Sequence, residues 1–220
     1  MIAQNSGVRF RAGERKLSKP VVAALTILLL SAAVGADCSV SGQASAAAAA
    51  PKPPATVTGA QLAADKRPFS PPGTVVSSST LGTRVFVGDK NGFALATLLI
   101  PGVTYPAATV NGGRTWRIDG PHLHVAAANA PNVVTQVGAA GPAPYFAYGG
   151  PGGGNSACVT TDGGKHWWRA YLPGTPVAIV YSRVTTPAEL VSLVEYGPAQ
   201  FWVYVSSDGG HHWRYHKGWV

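Results

Sequence analysis

Along the C-terminal two thirds of the chain, short runs rich in Val, Thr and aromatic residues are separated by glycine, proline, asparagine or aspartate. Runs of strand-favouring residues, broken every few positions by turn formers, predict short strands and an all-β fold. The runs fall into three groups. The first holds TVVSS, TRVFVG and FALATLLI, beginning at Thr74, Thr83 and Phe93, with GDKNG at Gly88–Gly92 reading as a hairpin. LHVAAA, VVTQVGA and PYFAYG follow from Leu123, Val133 and Pro144. The last group is VAIVYSRV, ELVSLVEY and FWVYVSS, from Val177, Glu189 and Phe201.

Each group ends on the same phrase. TVNGGRTWRID stands at Thr109–Asp119, TTDGGKHWWRA at Thr160–Ala170 and SSDGGHHWRYH at Ser206–His216. The shared pattern is a hydroxyl residue, any residue, Asp or Asn, two glycines, two variable residues and Trp. Its members are Thr109, Asn111, Gly113 and Trp116; Thr160, Asp162, Gly164 and Trp167; and Ser206, Asp208, Gly210 and Trp213. The copies are 51 and 46 residues apart, counted at Asn111, Asp162 and Asp208, a period that marks a propeller, solenoid or array. Asp or Asn in such a phrase accepts hydrogen bonds from nearby backbone amides, and glycine supplies a positive φ without a Cβ clash. Trp then fills the space beneath the hairpin, its indole N–H bonded nearby. The twelve residues are therefore expected to be structural turns rather than catalytic groups.

The phrase resembles the Asp-box, or BNR, repeat of sialidases and related β-propellers over about residues 73–220, with Asn111 departing from the usual Asp. That resemblance implies about three four-stranded antiparallel blades, each repeat closing the hairpin between the third and fourth strands, away from any active site. It also raises a sialidase-like glycoside hydrolase as the alternative function. Such an enzyme needs an arginine cluster, a Tyr activated by a Glu, and a second acid set close by. No arginine motif of that kind occurs: Arg84 and Arg183 stand alone, and Glu195 and Tyr196 are adjacent, so a strand would turn them to opposite faces. The sequence is thus identified with a non-catalytic member, with no catalytic residue, cofactor or metal assigned. His122 and His124 would share a strand face, but no third ligand has dependable spacing, while His211 and His212 occupy variable turn positions. The glycine-rich Pro144–Asn155 lacks the Gly-Lys-Ser/Thr ending of a phosphate loop. Its Tyr145, Phe146 and Tyr148 offer a carbohydrate or peptide patch if exposed; strand aromatics usually pack inward.

Composition changes the picture mainly at the N-terminus. The chain has 220 residues and a net charge of +8. Residues 1–20 hold five basic groups and Glu14, whereas residues 73–220 hold nine basic and six acidic groups without a cluster, which argues against nucleic acid. After the basic stretch, Val21–Ala36 is an apolar run ending in small residues, the layout of a secretory signal. As a helix it would span roughly 24 Å, short of a ~30 Å hydrocarbon core. Cleavage after Ala36 is expected, with a retained membrane anchor or lipidation at Cys38 as alternatives. Residues 37–72 are rich in Ala, Pro and Ser without an apolar period and are expected to be a flexible linker, with one helical turn at Gln61–Lys66. The expectation is an exported, surface-tethered binding or scaffold module for protein or glycan. Membrane contact runs only through the N-terminal segment, and a second copy or a partner chain completes the propeller, which needs at least about four blades.

Overall fold

Short alternating runs pair most cheaply with their sequence neighbours through tight turns, and this chain does so three times over. The structure is a computed structural model that describes residues 52–64, 70–97, 103–125, 134–150, 153–183 and 188–219. The leader, Cys38 and residues 37–51 lie outside the described residues.

Two strands come first, β1 (Thr56–Thr58) and β2 (Ala60–Gln61). The first repeat builds β3 (Val75–Val76), β4 (Leu81–Val87), β5 (Asn91–Thr97), β6 (Val103–Thr109), β7 (Trp116–Ile118) and β8 (His124–Val125). The second builds β9 (Gln136–Ala139), β10 (Tyr145–Tyr148), β11 (Ser156–Thr160) and β12 (Trp168–Tyr171); the third builds β13 (Thr175–Ser182), β14 (Glu189–Gly197), β15 (Gln200–Ser206) and β16 (His212–Trp219). They form three open antiparallel sheets, in the orders β3-β7-β6-β5-β4, β2-β12-β11-β10-β9 and β1-β16-β15-β14-β13, with β8 added to β6.

The first and second sheets meet through Phe93, Leu95, Tyr145, Ala147, Cys158 and Trp167, where Phe93 stacks on Tyr145 at 4.9 Å. Between the second and third lie Phe146, Val159, Leu172, Ile179, Tyr204 and Trp213. Successive residues of β10 and β11 thus serve opposite faces, as the pleat requires. Tyr145 and Phe146 are core residues rather than a surface patch. Cys158 is a fully buried free thiol, pushed up to about 12 by burial.

Two departures from the sequence reading have clear causes. Within the segment assigned to a linker, β1 completes the third sheet and β2 the second. Val57 pairs with Trp213 and Gln61 with Trp168, so Gln61 belongs to a strand, not a helical turn. Gly59 bridges the two where its backbone crosses the third repeat turn: its N–H donates to the His211 carbonyl at 2.7 Å, and a Cβ there would lie 2.6 Å from the Gly210 carbonyl. A strand added to an existing edge is held by main-chain bonds and needs no apolar period of its own. The final strand β16 begins within the repeat phrase and runs for eight residues. The second departure is β6, for which the sequence reading names no strand; Pro106 sits in it, and proline disfavours a central strand. Pro106 is fully buried, and its carbonyl accepts the Asp119 N–H at 2.9 Å.

Candidate functional site

Each repeat phrase joins two adjacent strands of its own sheet: β6 to β7, β11 to β12, and β15 to β16. In the first, the Thr109 hydroxyl donates to Asn111 Oδ1 at 2.9 Å and accepts the Gly113 N–H at 3.1 Å, while Asn111 Oδ1 accepts the Thr115 N–H at 3.0 Å. Thr160, Asp162, Gly164 and His166 repeat this at 2.9, 3.0 and 3.0 Å. Ser206, Asp208, Gly210 and His212 do so at 2.9, 2.8 and 2.9 Å. The six turn glycines have φ between 70° and 91°. The twelve predicted residues therefore form three local clusters, one per sheet, and are not gathered into one site.

A feature absent from the sequence reading is the pairing of the histidine in the second variable slot with the turn acid. His166 Nδ1 lies 2.6 Å from Asp162 Oδ2, and His212 Nδ1 lies 2.7 Å from Asp208 Oδ2. An ionised carboxylate only accepts, so Nδ1 carries the hydrogen in both pairs. Burial works to raise both acids, but hydrogen bonds from the histidine backbone and ring and from the turn hydroxyl outweigh it. Asp162 is lowered to about 2, and Asp208 is also lowered. Acids held this firmly ionised are poor proton donors near neutrality.

The three repeat tryptophans, Trp116, Trp167 and Trp213, are buried. Trp167 donates its indole N–H to the Asp119 carbonyl at 3.2 Å, as expected, but the Trp213 indole nitrogen has no partner among the described residues. Against Gly164, where φ is +88°, a Cβ would lie 2.5 Å from the Asp119 carbonyl; at Gly163, φ +70°, it would meet nothing within 4 Å. Gly163→Ala is therefore expected to cost only the left-handed penalty, ~1–2 kcal/mol. Gly164→Ala should cost ~1–3 kcal/mol more through the clash. Urea unfolding of both variants checks the ordering, and equal losses would contradict it.

The contact at Gly164 exposes the one acid in this region not consumed by a turn. Asp119 follows β7 at the junction of the first and second sheets, its backbone fixed by Pro106 and Trp167. Its carboxyl makes no hydrogen bond or ion pair among the described residues. Burial, and secondarily the charge of Asp162, raise it to about 6. The Tyr145 phenol is raised by burial and then by Asp119. Beside Asp119 opens a cavity of about 440 Å3, bounded by Ala64, Pro72, Pro121, Gly164 and Lys165. The sequence held one sign of it. Three residues after the repeat Trp, the second copy has Ala170, which is fully buried, and the third has His216, whereas the first has Asp119.

A raised acid binds a proton more tightly in the folded chain, so its contribution to stability is full below the unfolded value near 4 and falls as pH rises through about 6. Asp119→Asn should remove that fall. The melting temperature of the variant relative to the native chain is expected to climb between pH 4 and pH 7; a constant difference would contradict the assignment.

The remaining candidates are dispersed. Arg183 donates to the Ala140 carbonyl and lies 5.8 Å from the Tyr181 ring, while Tyr196 stacks on Trp202 at 4.2 Å. His211 stacks on Trp168 at 3.6 Å, and His122 meets the edge of Tyr105 at 6.3 Å. Among the described residues no three His, Cys, Asp or Glu side chains gather as metal ligands. No protein-family model matches the chain, and no curated protein matches it.

Proposed function

We propose that the three sheets are blades of an Asp-box β-propeller-like head, exported and tethered at the cell surface by its N-terminal segment, which serves as a binding or scaffold module for a protein or glycan. The observation that carries this reading is the open face of the third sheet. There Val180, Val191, Val205 and Arg214 form one cross-strand row, and Ala178, Leu193, Val203 and Lys217 the next. Counted from the repeat turn, Val203 and Val205 correspond to Ala157 and Val159, which on the second sheet are buried against the third. The same apolar positions are thus present on a face that no other described sheet covers, and Val180 is 57% exposed. A second copy or a partner chain supplies the missing cover, since three blades fall short of a ring.

The rival reading is a sialidase-like glycoside hydrolase, favoured by one observation, the raised carboxyl of Asp119 beside a cavity. Two assays separate them. Turnover of fluorogenic glycosides that is lost in Asp119→Asn supports the enzyme and sinks the module. The module reading expects no turnover. It also expects a concentration-dependent increase in mass on sedimentation, or capture of a glycan or protein, abolished by Val191→Asp with Val205→Asp. A monomer that captures nothing contradicts it.

A further inference from the structure

We propose that the open face of the third sheet is an interface with a second copy of this chain. The two sheets pack face to face about a two-fold axis that runs along their strands. The inference rests on the module reading and names the partner of that same surface.

The face is apolar in the middle and charged towards its margins. Val180, Val191, Leu193 and Val205 lie in its two central rows and are exposed or half-buried. Arg214 and Lys217 of β16 end those rows on one side, paired with Val205 and Val203. Glu189 and Glu195 of β14 stand on the same face, because they alternate with Leu190 and Val194, which turn inward. Glu189 is one row beyond Arg214, and Glu195 one row beyond Lys217. Within one chain β15 separates the cations from the acids, and among the described residues none of the four makes an ion pair. The residues between Arg183 and Ala188 carry no charge.

Two cations against two acids leave this face without a net charge, so a strongly acidic partner, a strongly basic one or an anionic membrane is not matched to it. A second copy is. A two-fold axis along the strands keeps each row over its counterpart and exchanges left and right, so β16 of one copy crosses over β13 and β14 of its partner. Arg214 then approaches the partner's Glu189, and Lys217 the partner's Glu195, twice in each dimer. An axis across the strands would set β16 over β16 and the cations against one another. Head-to-tail closure into a ring would need the face of the first sheet that is turned away from the second. That face carries Trp116 with Tyr105 and Ala107, and each is at most 2% exposed in the single chain. It is covered already, and the third sheet is not.

The test sediments the full chain over a range of micromolar concentrations, beside Lys217→Glu and Glu195→Lys, both at exposed positions. The native chain is expected to double its mass as concentration rises. Each variant alone sets like charges together twice in a dimer and should weaken association at least about tenfold. Mixing the two variants in equal amounts should restore it, because the new acid of one then meets the new lysine of the other. A carbodiimide cross-link from Lys217 of an isotope-labelled native copy to Glu195 of an unlabelled one is expected as well, and it needs no variant to fold. A monomeric native chain, folded variants that associate like the native chain, a mixture of them that stays apart, or no mixed-isotope cross-link would overturn the proposal. The module reading falls separately. A monomer that captures a protein or glycan, and loses it in Val191→Asp with Val205→Asp, ends this inference and keeps that reading; one that captures nothing ends both.

Discussion

Replacing Trp213 with alanine is expected to lower stability by ~3–5 kcal/mol, the usual cost of emptying a large buried aromatic site. For a chain of this size that is a fall of roughly 6–20 °C in melting temperature. The indole is 0% exposed and packs in the core shared by the second and third sheets, with Val57 of β1 paired against its backbone. Its nitrogen has no partner among the described residues, so the loss is one of packing rather than of a hydrogen bond. Thermal unfolding measures it. Unchanged stability in Trp213→Ala together with lost binding would show that the repeat Trp belongs to a recognition surface instead.

The second large effect concerns the strands hidden in the linker. The sequence alone leads to the expectation that removing residues 1–68 leaves the folded head unaffected. The structure reverses it. A chain starting at Asp65 lacks β1 and β2 and loses the bonds from Gly59 to His211, Leu62 to Trp167, Tyr215 to Ala55 and Tyr204 to Pro54, at 2.7–2.9 Å. At a net ~1 kcal/mol each, these four alone amount to about 4 kcal/mol. The strand ladders and the packing of Val57 and Leu62 add to that. A chain starting at Lys52 should melt near the full-length protein, and one starting at Asp65 far below it. Equal melting temperatures would show that β1 and β2 contribute nothing.

What could be read from the sequence followed from local chemistry. Asp-Gly-Gly and Asn-Gly-Gly specify their turn through hydroxyl, carboxyl and positive-φ glycine alone, so Thr160, Asp162 and Gly164 behave in the fold as their spacing implies. Runs such as ELVSLVEY are legible as strands by residue type, but apolar residues occupy both faces, so that Leu190, Ser192 and Val194 turn inward is set by the packing rather than by the pattern. Main-chain pairing leaves a fainter mark. Thr56–Thr58 and Ala60–Gln61 bind by their amides and carbonyls, which every residue owns, so their composition resembles that of a flexible segment. Pro106 weakens the strand signal of β6 in the same way, since its missing N–H is visible in sequence and its place in the sheet is not. Asp119 is marked in sequence only by standing where the other copies have Ala170 and His216, and Gly164, 45 positions away, meets it only in the fold. Its carboxyl is shifted by burial, a property of the packed sheets rather than of its neighbours in the chain.

The three repeat phrases are the same rigid turn, closed by its own hydroxyl and carbonyl-type oxygens. Native-state hydrogen exchange on the amides of Gly113, Gly164 and Gly210 tests this most directly, because each is bonded to the hydroxyl of Thr109, Thr160 or Ser206. Strong protection at all three, lost on Thr109→Val, Thr160→Val and Ser206→Ala respectively, is the expected result. Fast exchange at these glycines in the native chain would contradict the claim, and with it the structural role given to the repeat.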